Sequence, residues 1–107
     1  MTNGLLGKAV SQTNNDVTVY EVPVTAEFAT VAIMVSNTNG SIATVNTYVT
    51  SAANPTTADL IGFQDELTGV GGSVEFTCMV LSPGEKVVVN ANNNECVIRV
   101  HGLEKAA

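Results

Sequence analysis

The chain has 107 residues, a formal net charge of −6 and a sequence pI of about 4.4. Its length is sufficient for one domain with one hydrophobic core. The negative charge argues against nonspecific binding to nucleic acid, which requires a basic surface, and it disfavours attachment to anionic membranes. No window approaches the ~20 apolar residues of a membrane span, and no basic segment followed by a long apolar run marks a secretory signal. We therefore expect a protein made and folded in a reducing cytoplasm.

Polarity in this chain comes mainly from uncharged residues. Charged residues make up 13% of the chain, below the ~25% typical of soluble domains. Valine and threonine dominate the alternating segments, as β-branched residues do in sheets. A weakly charged surface rich in valine, threonine and asparagine fits a protein that functions in an assembly, and it also fits an ordinary soluble monomer.

The first fifteen residues combine an apolar patch with a polar tract. The patch contains Leu5, Leu6, Ala9 and Val10, and the tract covers residues 11–15. Two consecutive leucines are unusual in a free tail, so residues 1–15 are predicted to be either an edge strand or an arm that docks on a neighbouring subunit. We favour the strand. Residues 16–107 are predicted to form the β-sandwich domain.

Residues 16–51 contain three predicted strands. The strand at 16–22 ends at Pro23, which cannot donate a backbone hydrogen bond to a neighbouring strand. The longest apolar run, 28–37, predicts a central strand covered on both faces. An Asn-Gly turn follows it, and this dipeptide is a strong hairpin signal. We therefore predict a β-hairpin over residues 28–51, with Val45 and Val49 of its second strand facing the core.

The segment from Asp59 to Leu67 fits either a helix or a strand. Gly62 disfavours the helix, and we choose the strand because the rest of the chain is rich in strands. In the next strand, 72–81, side chains alternate across the sheet. Val74, Phe76, Cys78 and Val80 share the parity that predicts the core, whereas Met79 and Leu81 fall on the opposite face.

The last two strands are separated by polar turns. Ser82-Pro83-Gly84-Glu85 precedes a strand in which Val87 and Val89 face inward and Val88 faces outward. Asn92-Asn93-Asn94 precedes the last strand, which we expect to end at Gly102. Its inward residues are Cys96, Ile98 and Val100, and its outward residues are Val97, Arg99 and His101. Altogether, seven to eight strands with turn signals every 8–14 residues predict an all-β fold, a single antiparallel β-sandwich or jelly roll.

The sequence contains no recognisable catalytic, cofactor or metal motif. Cys78 and Cys96 are expected to be buried, reduced thiols, and a disulfide between them stays open in case their strands are neighbours. The only adjacent carboxylates, Asp65 and Glu66, would point to opposite faces of a strand. The single histidine, His101, accompanies no serine or cysteine in a nucleophile motif. We predict that the chain is not an enzyme and needs no cofactor or metal.

The order of several short motifs is similar to a known group of proteins. The motifs are Tyr20-Glu21-Val22-Pro23, Leu81-Ser82-Pro83-Gly84-Glu85 and the run from Val97 to Glu104, VIRVHGLE. Together they span nearly the whole chain. In this order they resemble small β-sandwich virion structural proteins of tailed bacteriophages, in which a Y-x-V-P start, a PGE or PGD turn and a V-R-V-x-G-x-E ending recur.

The resemblance implies a structural, non-enzymatic role in the virion, after synthesis in the host cytoplasm. Our first hypothesis is a capsid decoration (cement) protein, a homotrimer that binds the major capsid protein on the outer shell and stabilises it, with no nucleic-acid or membrane partner. Its interface is expected to use the apolar N-terminal segment and partly apolar outer strand faces. The candidate interface residues are Leu5, Leu6, Met79, Leu81, Val88 and Val97.

Two alternatives remain open at this stage. One is a structural protein associated with the tail, neck or fibre, which the same resemblance also implies. The other is a carbohydrate-binding β-sandwich for host attachment, for which Tyr20, Tyr48 and Phe63 are the candidate aromatic residues.

Overall fold

The structure, a computed structural model, describes residues 3–107 and folds them into eight β-strands and one short 3₁₀ helix. The strands are β1 (Asn3–Val10), β2 (Asp16–Glu21), β3 (Ala26–Asn37), β4 (Ala43–Thr50), β5 (Leu60–Leu67), β6 (Ser73–Leu81), β7 (Lys86–Ala91) and β8 (Cys96–Ala106). The 3₁₀ helix covers Thr57–Asp59. The all-β prediction is confirmed, as is the strand over the ambiguous segment that begins after Asp59. Within the described residues, no helix is long and apolar enough to cross a membrane.

The strands form two antiparallel sheets of four strands each. Sheet 1 has the order β1-β8-β3-β6, and sheet 2 has the order β2-β7-β4-β5. The pairings are nested, because β1 pairs with β8, β2 with β7, β3 with β6 and β4 with β5. This is the connectivity of a jelly roll, a long hairpin of strands rolled into a two-sheet sandwich. Residues 3–10 of the predicted N-terminal segment therefore form an edge strand of the sandwich, whereas residues 1–2 of that segment lie outside the described residues.

The core lies between the two sheets and is built from the inward parity of their strands. Val45, Val87 and Val89 are fully buried from sheet 2, and Val49 packs against them. The inward set of β8, namely Cys96, Ile98 and Val100, is also fully buried. Their burial confirms the predicted inward assignments. The alternation holds because these stretches of β4, β7 and β8 contain no extra residue that would reverse the direction of the side chains.

The predicted hairpin over residues 28–51 is wrong. β3 and β4 are consecutive in the chain but lie in different sheets, and β3 pairs with β6 and β8. The Asn-Gly segment is part of an arch that crosses from one sheet to the other. The arch is held by the buried side chain of Asn37, whose amide donates to the carbonyl oxygens of Ser41 (2.8 Å), Leu67 (3.2 Å) and Thr68 (3.2 Å). Bonds to residues thirty positions away replace the local pairing that a hairpin would make.

The inward parity predicted for β6 is correct only for its first half. Between the pairs Ile33–Phe76 and Val31–Met79, β6 contains one residue more than β3. This β-bulge reverses the direction of every side chain after it. Cys78, at the bulge, has a positive φ of 58° and is exposed, whereas Met79 packs against the core and Leu81 is buried within it.

The last strand also continues beyond its predicted end at Gly102. β8 runs to Ala106 and stays paired with β3 throughout. A side chain at Gly102 would collide with the carbonyl oxygen of Thr30. The glycine therefore permits close approach of the two backbones rather than ending the strand.

The nested pairing sorts the connections to the two ends of the sandwich. Loops 11–15, 38–42, 68–72 and 92–95 lie at one end, which we call the asparagine-rich end. The other three loops lie at the opposite end, where β1 begins and β8 finishes. Cross-loop hydrogen bonds make the asparagine-rich end a single unit. Among them, the backbone amide and hydroxyl of Thr38 donate to the carbonyl oxygen of Glu95 at 3.1 and 2.6 Å.

Candidate interaction surface

The outward side of sheet 1 is a four-stranded face on which no other described segment packs, and we call it the outer face of sheet 1. Strand register places its side chains in rows that run across the sheet. The rows are Val10, Val97, Ser36 and Ser73; Lys8, Arg99, Met34 and Glu75; Leu5, His101 and Ala32; and Asn3, Leu103, Thr30 and Val80. This register defines which groups a partner lying on the sheet would meet.

The outer face of sheet 1 holds most of the exposed large apolar side chains in residues 3–107. Nine such side chains are exposed, and five are on this face: Leu5 (40%), Val10 (53%), Met34 (40%), Val80 (66%) and Leu103 (44%). Val97 and Ala32 are half-buried on the same face, in the rows of Val10 and Leu5. Several exposed large apolar side chains gathered on one face are typical of an interaction surface.

Charged groups on this face are segregated by strand. Lys8 and Arg99 are register partners on β1 and β8, and Glu75 lies in the same row on β6, at the opposite edge of the sheet. The Arg99 Nε donates to His101 Nε2 at 3.2 Å. In the described part of the chain the one ion pair joins Lys105 to Glu27, at 3.7 Å. Lys8, Arg99 and Glu75 therefore have no ion-pair partner among residues 3–107.

A shallow groove of about 280 Å³ runs along the β1–β8 side of this face. It is lined by Lys8, Ala9, Val10, Val97 and Arg99. Its floor is apolar and its charged rim is basic, an unusual combination in a chain with four basic residues against ten acidic ones. The lining of the groove therefore combines two basic side chains with three apolar ones.

The outer face of sheet 2 carries hydrogen bonds between polar groups of neighbouring strands. Asn90 donates to the Asp16 carboxylate at 2.9 Å, and the Asn46 side chain accepts from the backbone amide of Gln64 at 2.7 Å. Val88 is outward by alternation, as predicted, but its register partners on β2 and β4 are Thr18 and Tyr48, and it is only 1% exposed. This face presents no comparable apolar patch.

All four edge strands carry β-bulges, so the sheet edges are poor sites for adding a further strand. Each edge strand contains an extra residue relative to its neighbour: one in β1, β2 and β6, and two in β5. Bulges at edges bend the strand and interrupt the row of free backbone groups that another strand would use. The faces and loops are left as the surfaces available for association.

The predicted interface residues divide into three groups. Leu5 is exposed and Val97 is half-buried on the outer face of sheet 1, whereas Leu6 and Met79 are half-buried and pack against the core. Leu81 and Val88 are 2% and 1% exposed, so their prediction as surface residues is wrong. The β6 bulge turns Leu81 inward, and Val88 lies between Thr18 and Tyr48 of the neighbouring strands. An interface role for Leu5 and Val97 stays a prediction.

Sequence reasoning missed other members of this face. Val10, Met34, Val80 and Leu103 are exposed on it. The first two could have been found by extending the alternation of β1 and β3 outward from their buried neighbours. Val80 could not, because its exposure depends on the bulge.

The two cysteines are free thiols in different environments. Cys96 is buried, as predicted, and its thiol donates to Asn93 Oδ1 at 3.4 Å. Burial raises the pKa of this thiol. Cys78 is exposed, so the prediction of a buried thiol there is wrong. The side chains do not form a disulfide.

The aromatic candidates for sugar binding do not share one environment. Tyr20 is buried, and its hydroxyl donates to Glu104 Oε2 at 2.6 Å. Burial has the largest effect in raising the pKa of the Tyr20 phenol, and the Glu104 carboxylate raises it further. Tyr48 is half-buried on sheet 2, and Phe63 is exposed at the β5 bulge. Tyr20 is therefore a structural residue of the core rather than part of a sugar-stacking surface.

Acidic side chains in the described residues hold loops rather than form a metal cluster. Asp59 accepts from the backbone amide of Thr56 at 2.8 Å, and this bond lowers the pKa of the Asp59 carboxyl. Among residues 3–107, no group of three histidine, cysteine, aspartate or glutamate side chains is placed to bind a metal ion.

Comparison with known proteins gives no family assignment. No family model matches the chain, and no curated protein matches it. A solved structure described as a pentameric capsid protein isolated from metagenomic phage sequences is similar over 95% of this chain, with a TM-score of 0.43 and 14% identity. The chain spans 62% of that protein's length. A likeness this distant assigns no function.

Proposed function

We propose that this chain is a non-enzymatic structural protein of a phage virion, and more specifically a capsid decoration protein that binds the outer shell and stabilises it. The observation that carries the proposal is the outer face of sheet 1, where five large apolar side chains are exposed and the described part of the chain leaves them uncovered. The sequence resemblance to small virion proteins supports the assignment to a phage virion.

The fold suits a load-bearing role. A decoration protein adds contact energy between shell subunits, so it must present a rigid surface rather than a flexible one. Here the two sheets are joined by buried side chains, and the asparagine-rich end is cross-linked by hydrogen bonds between loops, including the bonds from Asn37. Burying roughly 1,500 Å² of total surface per contact is enough for lasting attachment.

The test is the copy number of this chain in purified virions, measured by quantitative mass spectrometry against the major capsid protein. A ratio near one per capsid subunit, or one oligomer per local symmetry point, is the expected result. A ratio of about a dozen copies per particle, as in a ring at a single vertex, would move the protein to the neck or tail. Absence from particles would overturn the proposal and favour a binding module, for which a glycan array with Phe63 substituted is the next test.

The N-terminal segment needs a different test from simple deletion. Removing residues 1–10 would take β1 out of sheet 1, together with Leu6 and Ala9, which pack against the core. Loss of particle binding by such a variant would report unfolding as much as a lost contact. The role of residues 1–15 as a docking arm, the identity of the shell partner and the trimer expected from the sequence all stay predictions.

A further inference from the structure

We infer that two copies of this chain pair through the outer faces of sheet 1, about a two-fold axis that lies between the faces and runs parallel to the strands. In this arrangement β8 of one copy lies over β3 of the second, and β1 lies over β6. The pairing and the proposed shell contact would use the same outer face of sheet 1, so the pairing describes the free protein and is tested in solution, apart from the virion role. It replaces the trimer expected from the sequence with a symmetric pair.

The charge pattern of the face is complementary to itself under this symmetry. The central row reads Lys8, Arg99, Met34 and Glu75 from one edge of the sheet to the other. The two-fold axis reverses this order in the second copy, so Lys8 faces Glu75 of the second copy, and the same contact occurs twice. Arg99 of one copy faces Met34 of the second copy, and the Glu75 carboxylate of the second copy lies on the next strand. Lys8 and Glu75, which have no ion-pair partner among the described residues, thus each gain one.

The sizes of the facing side chains are also complementary. The outward residues of β8 are large, Val97, Arg99, His101 and Leu103, whereas β3 offers small ones in the same rows, Ser36, Ala32 and Thr30, around the flexible Met34. Placing β8 over β3 sets large side chains against small ones in three of four rows. Sheets that pack face to face interdigitate in this way.

The available area reaches the range of specific interfaces. Four strands spaced by about 4.8 Å and about eight residues long give a projected face of about 500 Å². Two such faces together supply about 1,000 Å², the lower bound for a specific protein–protein contact. Pairing would cover all five exposed apolar side chains of the face at once.

Other modes of self-association are disfavoured by the same structure. Strand addition is obstructed because every edge strand is bulged. On the outer face of sheet 2, polar groups of neighbouring strands bond to one another, as in the Asn90–Asp16 bond. A chain with net charge −6 repels its own copies unless its basic groups meet acidic ones, as they do here.

Sedimentation velocity on the full chain tests the pairing, starting with the mass of the wild type. We expect a concentration-dependent species of twice the 11.1 kDa monomer mass. Lys8→Glu and Glu75→Lys should each weaken association about tenfold, because both symmetric ion pairs become repulsive. Glu66→Lys, at an exposed carboxylate on β5 of sheet 2, is the matched control for Glu75→Lys because it changes the charge by the same amount. It should associate no more weakly than the wild type.

The decisive experiment mixes Lys8→Glu with Glu75→Lys. In a mixed pair, the glutamate introduced at position 8 faces the lysine introduced at position 75, and the native Lys8 faces the native Glu75. Both contacts are then attractive, so the mixture should form dimers with near wild-type affinity although neither variant does so alone. Circular dichroism and thermal melting of each variant exclude unfolding as the cause of dissociation.

Three outcomes would overturn the inference. They are a wild-type chain that stays monomeric at several hundred micromolar, a trimer in place of the dimer, or charge variants that lose association but do not regain it on mixing. A second variant, Ala32→Arg, tests the apolar contact independently by placing a long side chain opposite His101 of the second copy. Since copy number in virions is measured separately, a monomer found on particles would reject the pairing and leave the virion role standing.

Discussion

Asn37 offers the sharpest test of how the two sheets are joined. It is fully buried at the end of β3, and its amide nitrogen contacts three carbonyl oxygens, of Ser41, Leu67 and Thr68. Its side-chain oxygen accepts from the backbone amide of Asn39 at 3.0 Å. An amide has two N–H groups, so the three donor contacts share two hydrogens. The residue therefore contributes about three hydrogen bonds.

Asn37→Ala should destabilise the protein by about 3 kcal/mol, at about 1 kcal/mol for each lost bond. A domain of this size has a total stability of about 5–15 kcal/mol, so the loss is a large fraction of it. The expected fall in Tm is about 12 °C, at roughly 4 °C per kcal/mol. Asn37→Asp should cost more at neutral pH, because a carboxylate would then face three carbonyl oxygens. Its deficit should shrink as the pH falls and the carboxyl gains a proton that it can donate.

Urea unfolding followed by circular dichroism measures both effects, and unchanged m-values would show that the same surface unfolds. The matched control is Asn92→Ala at the same end of the sandwich. The side chain of exposed Asn92 makes one hydrogen bond, accepting from the Thr44 amide at 3.0 Å, so its loss should cost less than about 1 kcal/mol. If Asn37→Ala and Asn92→Ala cost the same, the buried amide does not hold the arch between the sheets, and the reasoning fails.

Two further predictions concern Tyr20 and the cysteines. The pKa of the Tyr20 phenol is raised above its unfolded value of about 10, so its stabilising effect is complete below that pH and is lost as the pH rises further. Tyr20→Phe should therefore cost about 1 kcal/mol at pH 7 in urea unfolding, and the gap to the wild type should narrow above about pH 10; a constant gap would contradict the role of the Glu104 hydrogen bond. In the native protein, a thiol reagent should modify exposed Cys78 rapidly and buried Cys96 only on unfolding, as read by peptide mass spectrometry, with Cys78→Ser as the control that abolishes the fast phase. Equal rates would place Cys96 at the surface.

Sequence alternation predicts a strand face correctly as long as the strand has no bulge. On β7 and β8 it identifies Val87, Val89, Ile98 and Val100, all of which are buried. On β6 it fails after the bulge, where Cys78 adopts a positive φ. Nothing in the local sequence indicates this conformation, since non-glycine residues rarely adopt it. The pairing with β3 creates the bulge, and that pairing is not visible from β6 alone.

The turn signal at residues 38–42 also predicts only part of the local structure. The Asn-Gly dipeptide correctly indicates a change of chain direction but carries no information about which strands pair afterwards. Pairing here is decided by Asn37, whose bonds to the carbonyl oxygens of Leu67 and Thr68 join segments far apart in the chain. Nested long-range pairing of this kind depends on the whole order of strands, which a local pattern does not contain.

The candidate surface was predictable only in part for the same reason. Leu5 and Val97 could be proposed from composition and parity, and they do lie on the outer face of sheet 1. The row of side chains from Lys8 to Glu75 could not be predicted, because it depends on the register of four strands that are distant in sequence. The most informative property of the surface, its complementarity to itself, is therefore a property of the fold rather than of any motif.

The bulged edges and the apolar face are best understood together. A protein that must associate through an apolar β-sheet surface risks uncontrolled growth, because open sheet edges can recruit further strands. Here every edge strand is interrupted by at least one extra residue, whereas the face of sheet 1 is regular across its central row. Association is thereby directed to a face, where a two-fold contact closes after two copies and leaves no repeated surface free. The same bulge that made β6 unpredictable from its sequence thus contributes to limiting the assembly.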